Sequence, residues 1–121
     1  MTKEKMMWIL MEAFEKDPRD LFSLLKKKAG KELTFAMTGL KKVESGANLP
    51  AEIIMRIQYG YCAFCLLAEE NGDEFAKKWI KNGNIYLPKP IEGLRSFPPN
   101  RLFLVMNAVF NCIKAGHGII P

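Results

Sequence analysis

The residues with the most specific chemistry in this 121-residue chain are its three cysteines and its single histidine. Cys62 and Cys65 form a Cys-x-x-Cys pair, and Cys112 and His117 would complete a Cys3His zinc set. However, the pair lies inside an apolar run with no flanking turn and no second Cys-x-x-Cys, and a free cysteine packs as a small apolar residue. We therefore predict that the thiols are core residues and that the protein binds no metal or cofactor.

No pattern in the sequence brings catalytic groups together. The histidine follows a glycine near the C-terminal end, and we find no nucleophile beside a base, no glycine-rich phosphate loop and no paired acids on one predicted inner face. We therefore predict that the protein is not an enzyme. An odd number of cysteines without an evident signal peptide indicates a reducing compartment, so we expect a cytoplasmic protein.

Lysines are the second type of residue that could form a binding site. The chain has a formal net charge of +5. The densest group is Lys26, Lys27 and Lys28, with Lys31, Lys41 and Lys42 nearby in the sequence. Such a group can meet phosphate or an acidic protein. Alternatively, the first three lysines end a helix and complement its dipole.

An apolar segment, residues 53–68, predicts the element around which the chain folds. Its sequence, IIMRIQYGYCAFCLLA, offers polar groups only at Arg56, Gln58 and two tyrosine hydroxyls. Turn and cap residues flank it, so we predict a central buried helix over about 50–71. Because a charged and an amide side chain lie inside it, the helix makes a poor membrane span, and we expect no membrane partner.

The other apolar residues recur at helical spacing along most of the chain. We therefore predict an all-α fold: a compact bundle of five to six helices in one domain, 1–121, with a flexible tail at 116–121. A Pro-rich loop, 84–99, precedes the last helix. This loop is either functional or a connection whose apolar residues cover the open end of the bundle.

Three residues are candidates for a protein interface. On a helical wheel Trp8 falls among the charged residues of the first helix, where it either anchors a partner or is covered by another segment. Asn107 and Asn111 lie one turn apart on the last helix, where they either bond across an interface or form a solvated edge. The first, central and last helices together have more apolar surface than a small domain covers, which favours self-association.

Residues 40–57, LKKVESGANLPAEIIMRI, resemble part of the phage-repressor-type helix-turn-helix domains, and the resemblance extends over 33–57. In that family Leu40 and Val43 would be buried at the end of the recognition helix, Glu44 and Gly46 would form the turn, and Pro50 would start the next helix. The resemblance implies DNA binding, with Lys26, Lys27, Lys28, Lys41 and Lys42 as phosphate contacts. The same glycine stop and proline start also occur in a helix-loop-helix that binds no DNA.

The sequence thus supports two functions of different classes. The first is a small cytoplasmic interaction protein that forms a homo-oligomer or binds a protein partner, with Trp8, Asn107 and Asn111 at the contact. The alternative is a DNA-binding regulator that uses a divergent helix-turn-helix. Scarcity of base-reading side chains around residues 35–39 places the interaction protein first.

Overall fold

A computed structural model describes residues 1–43 and 48–116. In this part of the chain every regular element is a helix, which confirms the predicted all-α fold. The elements are α1 (Lys3–Glu15), α2 (Pro18–Ala29), α3 (Lys31–Thr38), α4 (Ala51–Asn71), α5 (Asp73–Asn82), α6 (Pro90–Ser96), a 3₁₀ helix (Pro99–Arg101) and α7 (Phe103–Lys114). The flexible tail predicted at 116–121 falls, apart from Gly116, outside the described residues.

Helix α4 is the central element, as its apolar sequence predicts. Every other helix packs against it. Its middle, from Gly60 to Leu67, is buried without a break. By length and composition alone α4 is apolar enough to cross a membrane, but 56% of its most apolar window is buried against the rest of this chain. An internally covered core helix passes the same test, so the burial accounts for the apolar sequence.

Helices α1 and α2 begin where local capping chemistry predicts. The Thr2 hydroxyl accepts a hydrogen bond from the Lys5 amide at 3.1 Å. The Asp17 carboxylate accepts one from the Arg19 amide at 2.9 Å, and Pro18 occupies the first helical position. Each cap satisfies an amide that the first helical turn leaves without a partner.

Helix α3 is shorter than its apolar spacing suggests. The spacing of Leu33, Met37, Leu40 and Val43 predicts a helix that continues to about residue 45, and that prediction is wrong. Gly39 adopts the left-handed conformation at φ 79° and its amide bonds the Phe35 carbonyl, which ends the helix at Thr38. Leu40 and Val43 are half-buried in the irregular segment that follows.

The segment predicted as a Pro-rich loop, 84–99, contains helix α6. Pro90 occupies the start of α6, where its missing amide proton has no cost. Gly93 is buried, and a Cβ there would lie 3.3 Å from a Val105 methyl group, so α6 packs closely on α7. The bundle therefore has seven α-helices in its described part, more than the five to six predicted.

Arg56 joins this segment to the central helix. Although α4 is apolar here, the Arg56 side chain is buried and its guanidinium donates to the Leu94 carbonyl at 2.5 Å and to the Phe97 carbonyl at 2.9 Å. The same group pairs with Glu52 at 2.6 Å. Since the last carbonyls of a helix lack intrahelical partners, Arg56 caps the C-terminal end of α6 from a distant part of the chain.

Candidate functional site

The outer face of α1 is the largest group of exposed apolar side chains on one element. Only Ile9 and Ala13 of this helix are fully buried against the bundle. We call the exposed group the α1 strip; it comprises Met7 (56% exposed), Trp8 (70%), Met11 (46%) and Phe14 (43%). The apolar face of α1 is therefore wider than the bundle covers, although its spacing alone suggests one inward-facing surface.

Two contacts fix the α1 strip relative to α4. The Tyr61 hydroxyl donates a hydrogen bond to the Glu12 carboxylate. The Phe14 ring meets the Tyr59 ring edge-on with centroids 5.5 Å apart. Since Glu12 contacts Tyr61 and Phe14 contacts Tyr59, the two helices run antiparallel. The α1 strip is therefore fixed on the central helix.

The hydrogen bond between Tyr61 and Glu12 also changes the acidity of both groups. Donation from the hydroxyl is the main cause of a lowered pKa at Glu12. Burial, followed by the same hydrogen bond, raises the pKa of Tyr61. At neutral pH the carboxylate is therefore charged and the phenol neutral, which is the pair of states that the bond requires.

Helix α7 exposes the two predicted asparagines. Asn107 and Asn111 both face away from the bundle, one turn apart, while Val105 and Val109 pack inward. Phe103 and Leu104, at the start of the same helix, are also exposed. Both α1 and α7 pack on α4, so their exposed residues belong to one rigid body, and each helix has large apolar side chains facing outward.

The predicted lysine group divides among three places. Lys26, Lys27 and Lys42 line a cleft of about 360 Å³ together with Lys31; we call this site the lysine cleft. Its other lining residues are Phe22, Ser23 and Val43. The Lys26 ammonium lies 5.5 Å from the centroid of the Phe22 ring. Lys31 belongs to the basic patch seen in the sequence but not to the five predicted phosphate contacts, and it follows the turn at Gly30 between α2 and α3.

The other two predicted lysines lie elsewhere. Lys28 lines a separate depression beside Glu12 and Cys65. Lys41 lies over the Phe35 ring at 5.7 Å from its centroid, and the Arg95 guanidinium lies at 5.0 Å from the same ring. A single phosphate-binding surface made of all five predicted lysines is therefore not present in this arrangement.

Helix α3 is the element that would serve as the recognition helix in the helix-turn-helix interpretation. Thr34, Met37 and Thr38 are buried, and the Thr38 hydroxyl donates back to the Thr34 carbonyl at 2.8 Å. A recognition helix packs one face on its domain and reaches base edges with the other. On the outward side of α3, Lys31 and Glu32 are exposed, and the half-buried Phe35 ring contacts Lys41 and Arg95. The predicted turn residues Glu44 and Gly46 lie outside the described residues, and Pro50 precedes the first residue of α4.

The thiols lie in the core. Cys62, Cys65 and Cys112 are buried and form no disulfide. Burial is the main cause of a pKa of about 12 at Cys62 and about 11 at Cys65. In residues 1–43 and 48–116 no three His, Cys, Asp or Glu side chains are grouped closely enough to hold a metal ion, and His117 lies outside these ranges.

Compared with protein-family models, curated proteins and solved structures, the chain has no significant match. The features of the structure that bear on function are therefore the α1 strip, α7 and the lysine cleft. Sequence reasoning found Trp8, Asn107 and Asn111, but it did not separate Met7, Met11 and Phe14 from the core, because apolar spacing alone cannot show how wide a face the neighbouring helices cover.

Proposed function

We propose that this protein is a small interaction module that self-associates, with the α1 strip at the centre of the contact and α7 at its side. The observation that supports this most directly is the exposure of Trp8, at 70%, beside three further exposed apolar side chains on the same helix. Large apolar side chains grouped on a monomer surface mark interaction sites, and tryptophan is enriched among the residues that dominate binding energy.

A second copy of the chain is the partner that the strip fits. Met7, Met11 and Phe14 follow each other at spacings of four and three, so they lie on one line along α1. In an antiparallel pair of α1 helices crossing near Met11, Met7 of each copy meets Phe14 of the other. Thioether groups pack well against aromatic rings, and a two-fold contact of this kind uses the same patch on both copies.

The expected affinity follows from the size of the surface. Burying the exposed part of Trp8 removes on the order of 150 Å² of apolar surface from water, which contributes about 3 kcal/mol. One helical strip is smaller than the roughly 800 Å² per partner of a standard interface. We therefore expect Phe103, Leu104 and the two asparagines of α7 to contribute contact area, with a dissociation constant in the micromolar range.

Sedimentation velocity across a concentration series tests the proposal. The wild-type protein should change from monomer to dimer as its concentration rises, and Trp8→Glu should weaken the dimer by about 100-fold or more, because it removes the apolar contact and buries a charge. Met11→Glu should have a similar effect. Asn107→Asp, made separately, reports whether α7 takes part.

The matched control is Ile85→Glu, because Ile85 is an exposed apolar residue, 64% exposed, that lies outside both helices. It should leave the dimer unchanged. A wild-type protein that remains monomeric at all concentrations, or equal weakening by Trp8→Glu and Ile85→Glu, would refute self-association through the α1 strip.

DNA binding draws less support from the geometry. A divergent helix-turn-helix would have to read bases with α3, whose outward side offers Lys31 and Glu32 at the helix start and Phe35 one turn later. The cytoplasmic location stays part of the proposal, since three cysteines without a disulfide suit a reducing compartment.

A further inference from the structure

The lysine cleft is a concentration of positive charge that the fold itself creates. Four lysines from three parts of the chain line it, and none of its described lining residues is acidic. Among the described residues, no carboxylate forms an ion pair with Lys26, Lys27 or Lys31. Ammonium groups that share a cleft repel one another, and the positive potential that they create there favours an anion.

Favourable interactions with helix dipoles explain the positions of only some of these lysines. Lys26 and Lys27 lie in the last turn of α2, where a cation is favourable. Lys31 is the first residue of α3, where the positive end of the dipole disfavours a cation, and no side chain caps that end. Lys31 therefore adds repulsion on two counts, and a bound anion would relieve both.

From these observations we propose that the lysine cleft binds a compact anion with two or more phosphate groups, such as the diphosphate or triphosphate part of a small molecule. A cleft of about 360 Å³ lies in the range of small-ligand sites and exceeds what one phosphate fills. Lysines bind phosphate as point charges, and the four lysines supply the contacts, because the Ser23 hydroxyl on the same wall donates to the Arg19 carbonyl at 3.2 Å. The proposal is independent of self-association, because no residue of α1 lines this cleft.

Titration of the ¹⁵N-labelled full chain with inorganic pyrophosphate and tripolyphosphate, followed by NMR, tests the site. Amide shifts should saturate and concentrate in residues 22–31 and 42–43. The double variant Lys26→Gln with Lys27→Gln should bind at least about tenfold more weakly, because it removes two charge-assisted contacts. Lys31→Gln should also weaken binding while leaving the fold as stable or slightly more stable, since it removes a cation from a helix start.

The matched control is Lys3→Gln with Lys89→Gln, which removes the same charge from exposed positions outside the lysine cleft. It should leave pyrophosphate binding within about twofold, as long-range effects are screened at physiological salt. Absence of saturation up to about 10 mM, tenfold above a millimolar dissociation constant, would overturn the proposal. Equal weakening by the control pair would also overturn it, because binding would then follow net charge.

A short DNA duplex of random sequence provides the second arm. If the duplex binds in a manner that depends on Lys26 and Lys27 while pyrophosphate does not saturate, the cleft is a nucleic-acid contact and the proposal of a small polyphosphate is wrong. If pyrophosphate saturates the site and the duplex binds only weakly, with a steep loss in salt, the proposal stands.

Discussion

Replacing Arg56 with methionine tests whether this one side chain holds the 84–99 segment on the bundle. Methionine retains the length and the apolar stem of arginine but has no donors. The Leu94 and Phe97 carbonyls, which now accept from the guanidinium at 2.5 and 2.9 Å, would lose their partner in a buried place.

The magnitude can be worked out from these contacts. A buried acceptor left unpaired costs about 1–3 kcal/mol, so two carbonyls give about 2–6 kcal/mol. The stranded Glu52 adds little, because its side chain is 55% exposed and water can solvate it. Removing a buried charge also recovers part of its desolvation cost. We therefore expect a net loss of about 2–4 kcal/mol and a midpoint lower by roughly 10 °C.

Thermal and urea unfolding, followed by circular dichroism at one fixed protein concentration, measures this change. The control is Arg101→Met, an exposed arginine of the 3₁₀ helix, which should change stability by less than about 0.5 kcal/mol. If Arg56→Met unfolds within about 0.5 kcal/mol of the wild type, the guanidinium does not hold the segment and the reasoning is wrong.

Three further predictions concern stability. The free energy of unfolding should fall as pH rises above the pKa of an unfolded thiol, about 8.5. In the folded protein Cys62 and Cys65 have pKa values of about 12 and 11, so their thiols stay protonated while those of the unfolded chain lose their protons. The loss of stability is at most about 1.4 kcal/mol per pH unit and proton. Urea unfolding from pH 8 to pH 11 should show this fall, and Cys62→Ala should make it shallower. Gly60→Ala should stabilise α4 by up to about 1 kcal/mol, since the new Cβ meets Met37 at an ordinary 3.6 Å. Gly83→Ala should cost at least about 2 kcal/mol, because φ is 83° there and the Cβ would overlap a backbone carbonyl oxygen.

These predictions have separate outcomes that would contradict them. A stability that stays constant from pH 8 to pH 11 would show that the thiols are accessible to water in the folded state. A destabilised Gly60→Ala would show that α2 and α3 approach α4 more closely than the contact distance indicates. Thermal melts of both glycine variants against the wild type provide that comparison.

Local chemistry made much of the fold predictable. The caps at Thr2 and Asp17 define the starts of α1 and α2 through side chains that act within three residues. The apolar run of residues 53–68 predicts a central helix because few alternatives bury so many consecutive apolar side chains. In both cases the sequence contains the cause of the structure within one or two turns.

What could not be predicted depends on partners that are distant in the chain. Arg56 meets carbonyls 38 and 41 residues away, so no local pattern reveals that it caps α6. Gly39, after Thr38, is a local signal for the end of α3, whereas the apolar spacing of Leu40 and Val43 predicts that the helix continues. The lysine cleft likewise needs Lys42 to return to the end of α2, which depends on how α3 ends.

The exposed side chains of the two proposed sites contribute less to the stability of the monomer than the core side chains do. Ile9 and Ala13 are enough to bury α1 against α4, and the exposed side chains of Met7, Met11 and Trp8 add little to that contact. Replacing Met7, Trp8 or Met11 should therefore change assembly without lowering the stability of the monomer, whereas replacing Arg56 should lower that stability. Since the lysine cleft lies on α2, α3 and the segment after it, its variants should change neither property. The three sets of variants thus separate folding, assembly and anion binding as independent properties of one rigid bundle.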